Sequence, residues 1–452
     1  MTKRPTPATY LTKLVVQNAK SFKGRQELAL CDAHGHPSRW TLILGENGVG
    51  KTTLLQCIAA TAPRRNAESL SGGPKAKKTF VLEAVGVIDD SVVKLLARDG
   101  NSEFAILSTY AKDTRLAGDP GRKPKTFEVG IRFTPARKPE PYQAINAKEA
   151  LIAEPLVLSY GAGRKMGAGN LDAGSSDELA GALFSDECDL VDSEELIQQL
   201  DYAAVKRKTK LATQQRDTFL AMLARLLPDV ASAESFVIYG PSPIGRHKKH
   251  GVHVRVPYGE VPLRQLSFGY QTMTAWLADI AWQLFRRYPD SVHPLGEPAI
   301  VLVDEIDLHL HPRWQRELQK LLAEHFPAVQ FVATAHSPLM AQAAMGLNLA
   351  VVLRDGDSAC IHNDPTVVDN WRIDQVVTSE LFGLAPWSPD VQGKLDEQAQ
   401  LVQKANRTSR DNHRLEELEL FASSLPTGLP PALEQAMDII QRAASAIGRP
   451  SS

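Results

Sequence analysis

A glycine-rich turn near the start of the chain carries the clearest chemistry. The apolar residues 41–44 indicate a buried strand, and Gly45-Glu-Asn-Gly-Val-Gly-Lys51-Thr52 follows them. Glycines let consecutive backbone N–H groups curl round phosphates, Lys51 would add a point charge, and the Thr52 hydroxyl would ligate Mg²⁺. Apolar residues at helical spacing come next, so the anion would lie on a helix N-terminus. The nucleotide-binding residues predicted here are Gly45, Asn47, Gly48, Gly50, Lys51, Thr52 and Thr53.

A second apolar strand, residues 299–303, ends in two carboxylates. Buried strands of open α/β sheets end at the edge where ligands bind. We therefore predict that Asp304 holds the Mg²⁺ shell and that Glu305 orients or deprotonates the attacking water.

A third apolar strand, residues 329–334, leads to His336. A lone histidine is more often a structural residue, but one at the carboxyl end of a strand can contact the γ-phosphate of a nucleotide. We predict that His336 and Glu305 are the catalytic residues.

The sequence Leu266-Ser267-Phe268-Gly269 precedes apolar residues at helical spacing, which predict an amphipathic helix. Small polar residues at such a position are ordinary helix caps. Ser267 and Gly269 would also form a second anion site, because the exposed N–H groups and the helix dipole favour a phosphate. The residues alone leave both interpretations open.

Length and composition limit the kind of protein in which these motifs can lie. A chain of 452 residues exceeds one hydrophobic core, so two or three lobes are expected, and a net charge of −1 restricts any nucleic-acid contact to a local patch. Four cysteines without a Cys-x-x-Cys pair predict intracellular thiols rather than disulfides or a zinc site. No apolar run approaches membrane-spanning length and the start is polar, which predicts a cytoplasmic protein without membrane contact.

The remaining segments give a coarse order of elements. Two short strands, 13–17 and 26–30, predict an antiparallel pair ahead of the glycine-rich turn. Arg164 follows the strand 155–159 and would contact a phosphate, a partner or only its own turn. Heptads do not persist, which excludes a long coiled coil. Further strands are predicted at 80–87, 103–107, 127–133 and 252–256, and helices at 205–227, 391–424 and 430–446.

Three further clusters allow two interpretations each. The basic run 246–250 would contact nucleic acid or be a solvated loop. His309 and His311 have the spacing of a metal pair, but we favour a loop that meets a second subunit. Asp355 and Asp357 have the spacing of a Toprim metal site, but Asp-Gly-Asp is also a plain hairpin turn, which we favour.

Together the four motifs resemble the ABC-type ATPase heads of the SMC, RecF and OLD group. Ser267 would be the signature serine, Asp304 and Glu305 the Walker B pair, and His336 the switch histidine. The resemblance implies ATP and Mg²⁺ as cofactors and a head-to-tail dimer in which Ser267 of one subunit closes on the nucleotide of the other. Phe268 departs from the usual glycine or serine, which puts the fine geometry of this turn in doubt.

The resemblance also implies the fold class and the domains. We expect an α/β P-loop ABC-type ATPase head, a mixed sheet with an antiparallel β-subdomain, an α+β insertion and a helical C-terminal segment. The head would comprise residues 1–62 and 262–365, the insertion 63–261, and the C-terminal region 366–452.

More narrowly, four segments resemble the stand-alone ATPase subunits of anti-phage systems such as Septu, its retron-associated versions and, more distantly, PARIS. The segments are 160–164, 267–271, 308–312 and 371–384. Such subunits act beside a separate effector, commonly a nuclease, so the chain is expected to be an ATP-driven sensor or clamp in phage defence. The alternatives are a DNA repair or recombination ATPase that binds duplex DNA, and a slow ATPase scaffold that stores a toxic effector.

Overall fold

A computed structural model describes residues 8–63, 95–98, 102–112, 114, 116, 124–134, 142–146, 155–167, 183–184, 188–227, 229–240, 249–344, 347–363, 387–404 and 407–425. The chain divides into two compact units, Met1–Phe382 and Gly383–Ser452. In the described part, no helix combines the length and the apolar character that crossing a membrane requires.

The first unit contains all of the described strands. They are β1 (Thr9–Ala19), β2 (Phe22–Ala29), β3 (Trp40–Gly45), β4 (Phe104–Lys112), β5 (Lys125–Phe133), β6 (Tyr142–Asn146), β7 (Val157–Tyr160), β8 (Arg164–Met166), β9 (Cys188–Leu190), β10 (Phe236–Ile238), β11 (Val252–Val256), β12 (Gly259–Pro262), β13 (Ala299–Val303), β14 (Val329–Thr334), β15 (Asn348–Asp355) and β16 (Ser358–Asn363).

Six described α-helices belong to the first unit and two to the second. They are α1 (Lys51–Ala60), α2 (Ser193–Arg207), α3 (Lys210–Leu226), α4 (Phe268–Arg287), α5 (Pro312–His325), α6 (Pro338–Ala343), α7 (Pro389–Gln403) and α8 (Ser409–Ser423).

A six-stranded mixed sheet, in the order β16-β15-β3-β14-β13-β7, organises the first unit. Its strands run parallel except for β16, which pairs antiparallel with β15. Because the carboxyl ends of parallel strands meet at one edge, the segments that follow β3, β13 and β14 come together there. This sheet is the α/β architecture predicted from the sequence.

A five-stranded antiparallel sheet, in the order β2-β1-β4-β5-β6, accompanies the mixed sheet. Helix α1 packs between the two sheets, since Leu54 and Ile58 share one buried cluster with Leu14 of β1 and Val352 of β15. The antiparallel pair β1–β2 forms as predicted, and β4 to β6 extend the same sheet. Strands that lie far beyond α1 in sequence therefore extend the antiparallel sheet against which α1 packs.

Helices cover the opposite face of the mixed sheet. Val301 and Val303 of β13 pack in a second cluster with Leu223 of α3 and Trp276 of α4, whereas Ile300 and its alternate neighbour face the first cluster. A strand that is buried on both faces has no polar side, which explains the continuous apolar run.

Two predicted helices are interrupted in the structure. The helix predicted over 205–227 is two helices, because Lys208 adopts a left-handed backbone (φ 49°) and the Thr209 side chain caps α3. The helix predicted over 391–424 is also two, and Thr408 and Asp411 form a capping box at the start of α8. The strand at 80–87 and the helix at 430–446 lie outside the described residues, and the predicted domain boundaries stay a prediction.

Candidate functional site

The turn after β3 has the backbone of a phosphate loop. Gly45, Gly48 and Gly50 have φ values of 147°, 78° and 107°, which residues with a side chain rarely adopt. A Cβ at Gly50 would overlap the Ser21 hydroxyl and the Phe22 ring. Asn47 and Gly48 are exposed at the tip, and Lys51 opens α1. Glycine at these positions leaves space for an anion to approach the backbone.

The Lys51 amine is buried inside this turn. Its Nζ donates to the carbonyl oxygens of Gly45 (2.8 Å) and Glu46 (2.7 Å), and it lies 3.5 Å from His336 Nδ1. Burial lowers the pKa of Lys51 from 10.5 to about 8, and the nearby carboxylates of Asp304 and Glu305 oppose that shift. The positive charge is therefore already inside the loop.

Asp304 lies between two hydroxyl groups. Thr52 donates to one carboxylate oxygen (2.8 Å), and Thr334 at the end of β14 donates to the other (2.6 Å). Carboxylate and hydroxyl oxygens are the donors that Mg²⁺ uses beside nucleotide phosphates. The donor set at Thr52 and Asp304 therefore fits the metal ion predicted from the sequence.

Glu305 has a left-handed backbone (φ 46°), which is uncommon for a residue with a side chain. Its N–H donates to the Thr334 hydroxyl (2.8 Å), and its carboxylate lies 3.8 Å from His336 Nε2. The backbone N–H of His336 donates to the Asp307 carboxylate (3.1 Å). Both predicted catalytic side chains therefore meet at the edge where Lys51 lies.

The turn at Ser267 is a separate surface. Ser267 is the N-cap of α4, is exposed and makes no side-chain cap hydrogen bond. A Cβ at Gly269 would overlap the carbonyl oxygen of His309, and the half-exposed Phe268 ring packs edge-on against the His309 ring (4.8 Å between centroids). Among the described residues, no hydrogen bond or ion pair links this turn to the phosphate loop. Ser267 and Phe268 are exposed, so a second molecule could reach the start of α4.

The other clusters have local explanations. His311 Nδ1 accepts from the Arg313 N–H (3.3 Å) and caps α5. Asp355 pairs with Ser358 across the β15–β16 hairpin, with Gly356 at φ 57°, which agrees with the favoured turn. Within the described residues, no group of three His, Cys, Asp or Glu side chains could hold a metal ion.

Little of the basic run 246–250 is described. Residues 246–248 lie outside the described residues, and Lys249 forms an ion pair with Glu260 (2.9 Å) and approaches the Tyr239 ring. An exposed pair of this kind is what a solvated hairpin shows.

Sequence reasoning missed Thr334 and Asp307, and left the role of Arg164 open. Arg164 is buried, and its guanidinium donates to backbone carbonyls behind the acidic pair rather than pointing outward. The only signal for Thr334 was a polar residue at the end of an apolar strand.

A glycine-rich loop after β3, its buried lysine, and a hydroxyl-bound carboxylate at the end of β13 define a P-loop ATPase. A protein-family model described as "AAA domain, putative AbiEii toxin, Type IV TA system" matches residues 41–341, and the chain belongs to this family.

The chain is similar in sequence to a Septu protein and to a retron ATPase. The chain is 22% identical over 421 residues to the Septu protein PtuA of Bacillus mycoides, which covers 91% of this chain and 50% of the relative. It is 51% identical over 74 residues to the "Retron Ec83 probable ATPase" of Escherichia coli, which covers 16% and 14% of the two chains. The chain thus spans about half the length of the first relative.

Solved SMC heads are distant structural neighbours. The SMC head domain from Thermotoga maritima covers 78% of this chain and 98% of its own, at 16% identity and a TM-score of 0.37. An SMC head bound to the C-winged helix domain of ScpA covers 78% and 97%, at 16% identity and a TM-score of 0.41.

Proposed function

We propose that the chain is the ATP-binding and hydrolysing subunit of a cytoplasmic anti-phage defence system. It dimerises head to tail on ATP and controls a separate effector, a nuclease. The similarity to a Septu PtuA over 91% of the chain supports the biological setting. The contact of Thr52 with Asp304 beside the buried Lys51 supports the chemistry.

Each residue of this edge has a role in the proposed hydrolysis. Lys51 and the loop N–H groups bind the phosphates, while Thr52 and Asp304 are the residues that would hold Mg²⁺. When bound, Mg²⁺ would neutralise developing charge on the phosphate oxygens. Glu305 accepts the proton of the attacking water, and His336, which lies between Lys51 and Glu305, orients toward the terminal phosphate.

The second half of the site would come from another copy. Ser267 and Gly269 lie at the start of α4, where the first N–H groups of a helix lack partners within the helix and stabilise an anion. In the proposed dimer these groups close on the nucleotide held at Lys51 of the other subunit. ATP binding would then assemble the dimer, and hydrolysis would release it.

The substitution Glu305→Gln tests the proposal. It keeps the size of the side chain but removes the base, so we expect ATP binding to persist and turnover to fall by about 10²–10⁴-fold. Phage plating on cells that carry the gene and its neighbours should show loss of protection.

Glu324→Gln is the matched control, because Glu324 pairs with Arg225 on the surface (3.7 Å) and lies outside the proposed site. If Glu305→Gln retains both turnover and protection, Glu305 is not the water-activating residue. If protection survives while turnover is lost, the chain acts as a scaffold that stores its effector.

Two further measurements distinguish a protein partner from duplex DNA as the binding partner of this chain. The defence proposal predicts that the product of a neighbouring gene co-purifies with this chain. The repair alternative predicts salt-sensitive binding of duplex DNA that is lost when Arg246, Lys248 and Lys249 are changed together to Ala. Absence of DNA binding at low salt would exclude that alternative.

A further inference from the structure

We propose that Arg164 is a positioning residue that holds the backbone of Glu305 in its left-handed conformation and so aims the water-activating carboxylate. This inference rests on the proposed hydrolysis and adds a residue outside the glycine-rich loop and the acidic pair.

The contacts of Arg164 converge on the acidic pair from behind. Nη1 donates to the carbonyl oxygens of Gly161 (2.9 Å) and Asp304 (2.7 Å), and Nη2 donates to that of Glu305 (2.9 Å). On the same side, the Asp304 N–H donates to the Tyr160 carbonyl (2.8 Å). Segment 160–164 thus binds both peptide units that follow β13.

The Glu305 peptide is held at both ends. Its N–H is bonded to Thr334 and its carbonyl to Arg164, while its φ of 46° lies where residues with a Cβ are strained. A non-glycine residue in such a conformation is strained and persists only where its surroundings determine it. The Glu305 carbonyl also accepts from the Leu308 N–H (3.1 Å), and the Ile306 N–H donates to the Thr334 carbonyl (3.0 Å). Arg164 therefore acts together with these two bonds, and its loss weakens the hold on the peptide between Glu305 and Ile306.

Burial makes this arrangement costly. The guanidinium is only 4% exposed, and burial lowers the pKa of Arg164 from 12.5 to about 10, opposed by the carboxylates of Asp304, Glu305 and Asp307. An ion of this kind is expensive to bury unless it is bonded and compensated by charge. Three carbonyls bond it, and three nearby carboxylates compensate it without a direct hydrogen bond to them.

The geometry also separates Arg164 from phosphate binding. Both terminal nitrogens are directed at main-chain carbonyls, so a nucleotide phosphate would have to displace these bonds. The interpretation in which Arg164 contacts a phosphate therefore gives way to one in which it acts through Glu305.

The test compares Arg164→Met, Arg164→Lys and Arg164→Ala in the full chain. We expect turnover to fall about 100-fold in Arg164→Met, because a displacement of about 1 Å of a catalytic group has this effect. The affinity for ATP should stay unchanged, so kcat and not KM changes. Arg164→Lys should retain intermediate turnover, and guanidinium at millimolar concentration should partly restore Arg164→Ala.

Arg216→Met is the matched control, since it also removes a bonded arginine of the first unit, one paired with Asp201 (2.9 Å) away from the site. Unchanged turnover in Arg164→Met, or equal loss of ATP affinity and turnover, would overturn the inference. A crystal structure of Arg164→Met provides the independent readout: Glu305 should leave the left-handed region. If the wild type hydrolyses no ATP, the proposed function fails, whereas retention of the φ in Arg164→Met would refute the role of Arg164 itself.

Discussion

At the residue scale, Thr334 connects the two carboxylates that the proposed chemistry needs. One hydroxyl donates to Asp304 and accepts from the Glu305 N–H. Asp304 and Glu305, the proposed metal ligand and the proposed base, are thereby fixed relative to each other through the neighbouring strand, 30 residues from Asp304 in sequence. A hydroxyl can do both because it is a donor and an acceptor at once.

The substitution Thr334→Val tests whether the Thr334 hydroxyl holds Asp304 and Glu305 in place. It keeps the shape but leaves the buried Glu305 N–H without its acceptor, which costs about 1–3 kcal/mol of unfolding free energy. We expect turnover to fall by roughly 10–100-fold, because the base loses one of its anchors. Steady-state ATP hydrolysis and urea unfolding measure the two effects.

Thr109→Val is the control, since the Thr109 hydroxyl is buried in β4 and has no hydrogen-bond partner among the described residues. Its removal should leave turnover unchanged and should not lower the free energy of unfolding. Equal turnover for the two variants would show that Thr334 does not hold the base.

At the element scale, α4 is fixed to the rest of the unit by a buried carboxylate. Asp279 accepts from the Tyr160 hydroxyl (2.8 Å) at the end of β7 and from the Val191 N–H (3.3 Å) after β9. Burial raises the pKa of Asp279 from 3.8 to about 6, although both hydrogen bonds oppose that shift. The helix that begins at Ser267 is thus anchored to the segment that also contains Arg164.

This carboxylate predicts a pH dependence of stability. The folded chain holds the Asp279 proton more tightly than the unfolded chain does. The stability that this proton contributes is therefore fully present below the ordinary pKa of 3.8 and is lost as the pH rises through about 6. Asp279→Asn has no such proton. Between pH 4 and pH 8 the free energy of unfolding of the variant should therefore rise by about 2–3 kcal/mol relative to that of the wild type, as measured by urea unfolding.

Asp217→Asn removes an exposed carboxylate of α3 and should keep the pH profile of the wild type. A constant difference between Asp279→Asn and the wild type across this range would mean that Asp279 stays ionised throughout.

At the scale of the whole molecule, the proposed reaction needs two separate surfaces of the first unit. The edge of the mixed sheet presents Lys51, Asp304 and Glu305, and the start of α4 presents Ser267 elsewhere on the surface. A two-fold symmetric pair of copies can bring each edge against the other copy's helix start, because in an isologous interface residue i of one copy contacts residue j of the other and the reverse. Within the second unit, the ion pair between Arg414 and Glu397 (2.9 Å) joins α8 to α7.

Local signals account for what the sequence predicted. The glycine pattern, the apolar strands with polar ends and the amphipathic spacing after Ser267 each lie within about 20 residues, and each forms the expected element. Arg164, Thr334 and Asp307 could not be predicted, because their partners are distant in sequence: His336 lies 29 residues from Asp307, and Asp304 lies 30 residues from Thr334 and 140 from Arg164. The break at Lys208 was missed for a different reason: a left-handed lysine has no compositional mark.

The most direct test of the account mixes two inactive variants. Lys51→Ala removes the phosphate-binding charge and Ser267→Arg blocks the helix start, so each alone should lack turnover. In a head-to-tail dimer, a mixed pair contains one site with an intact Lys51 and an intact Ser267 from different copies, so an equal mixture should recover about a quarter of wild-type turnover. No recovery, in a mixture shown by sizing with ATP to contain mixed dimers, would contradict a site shared between two copies.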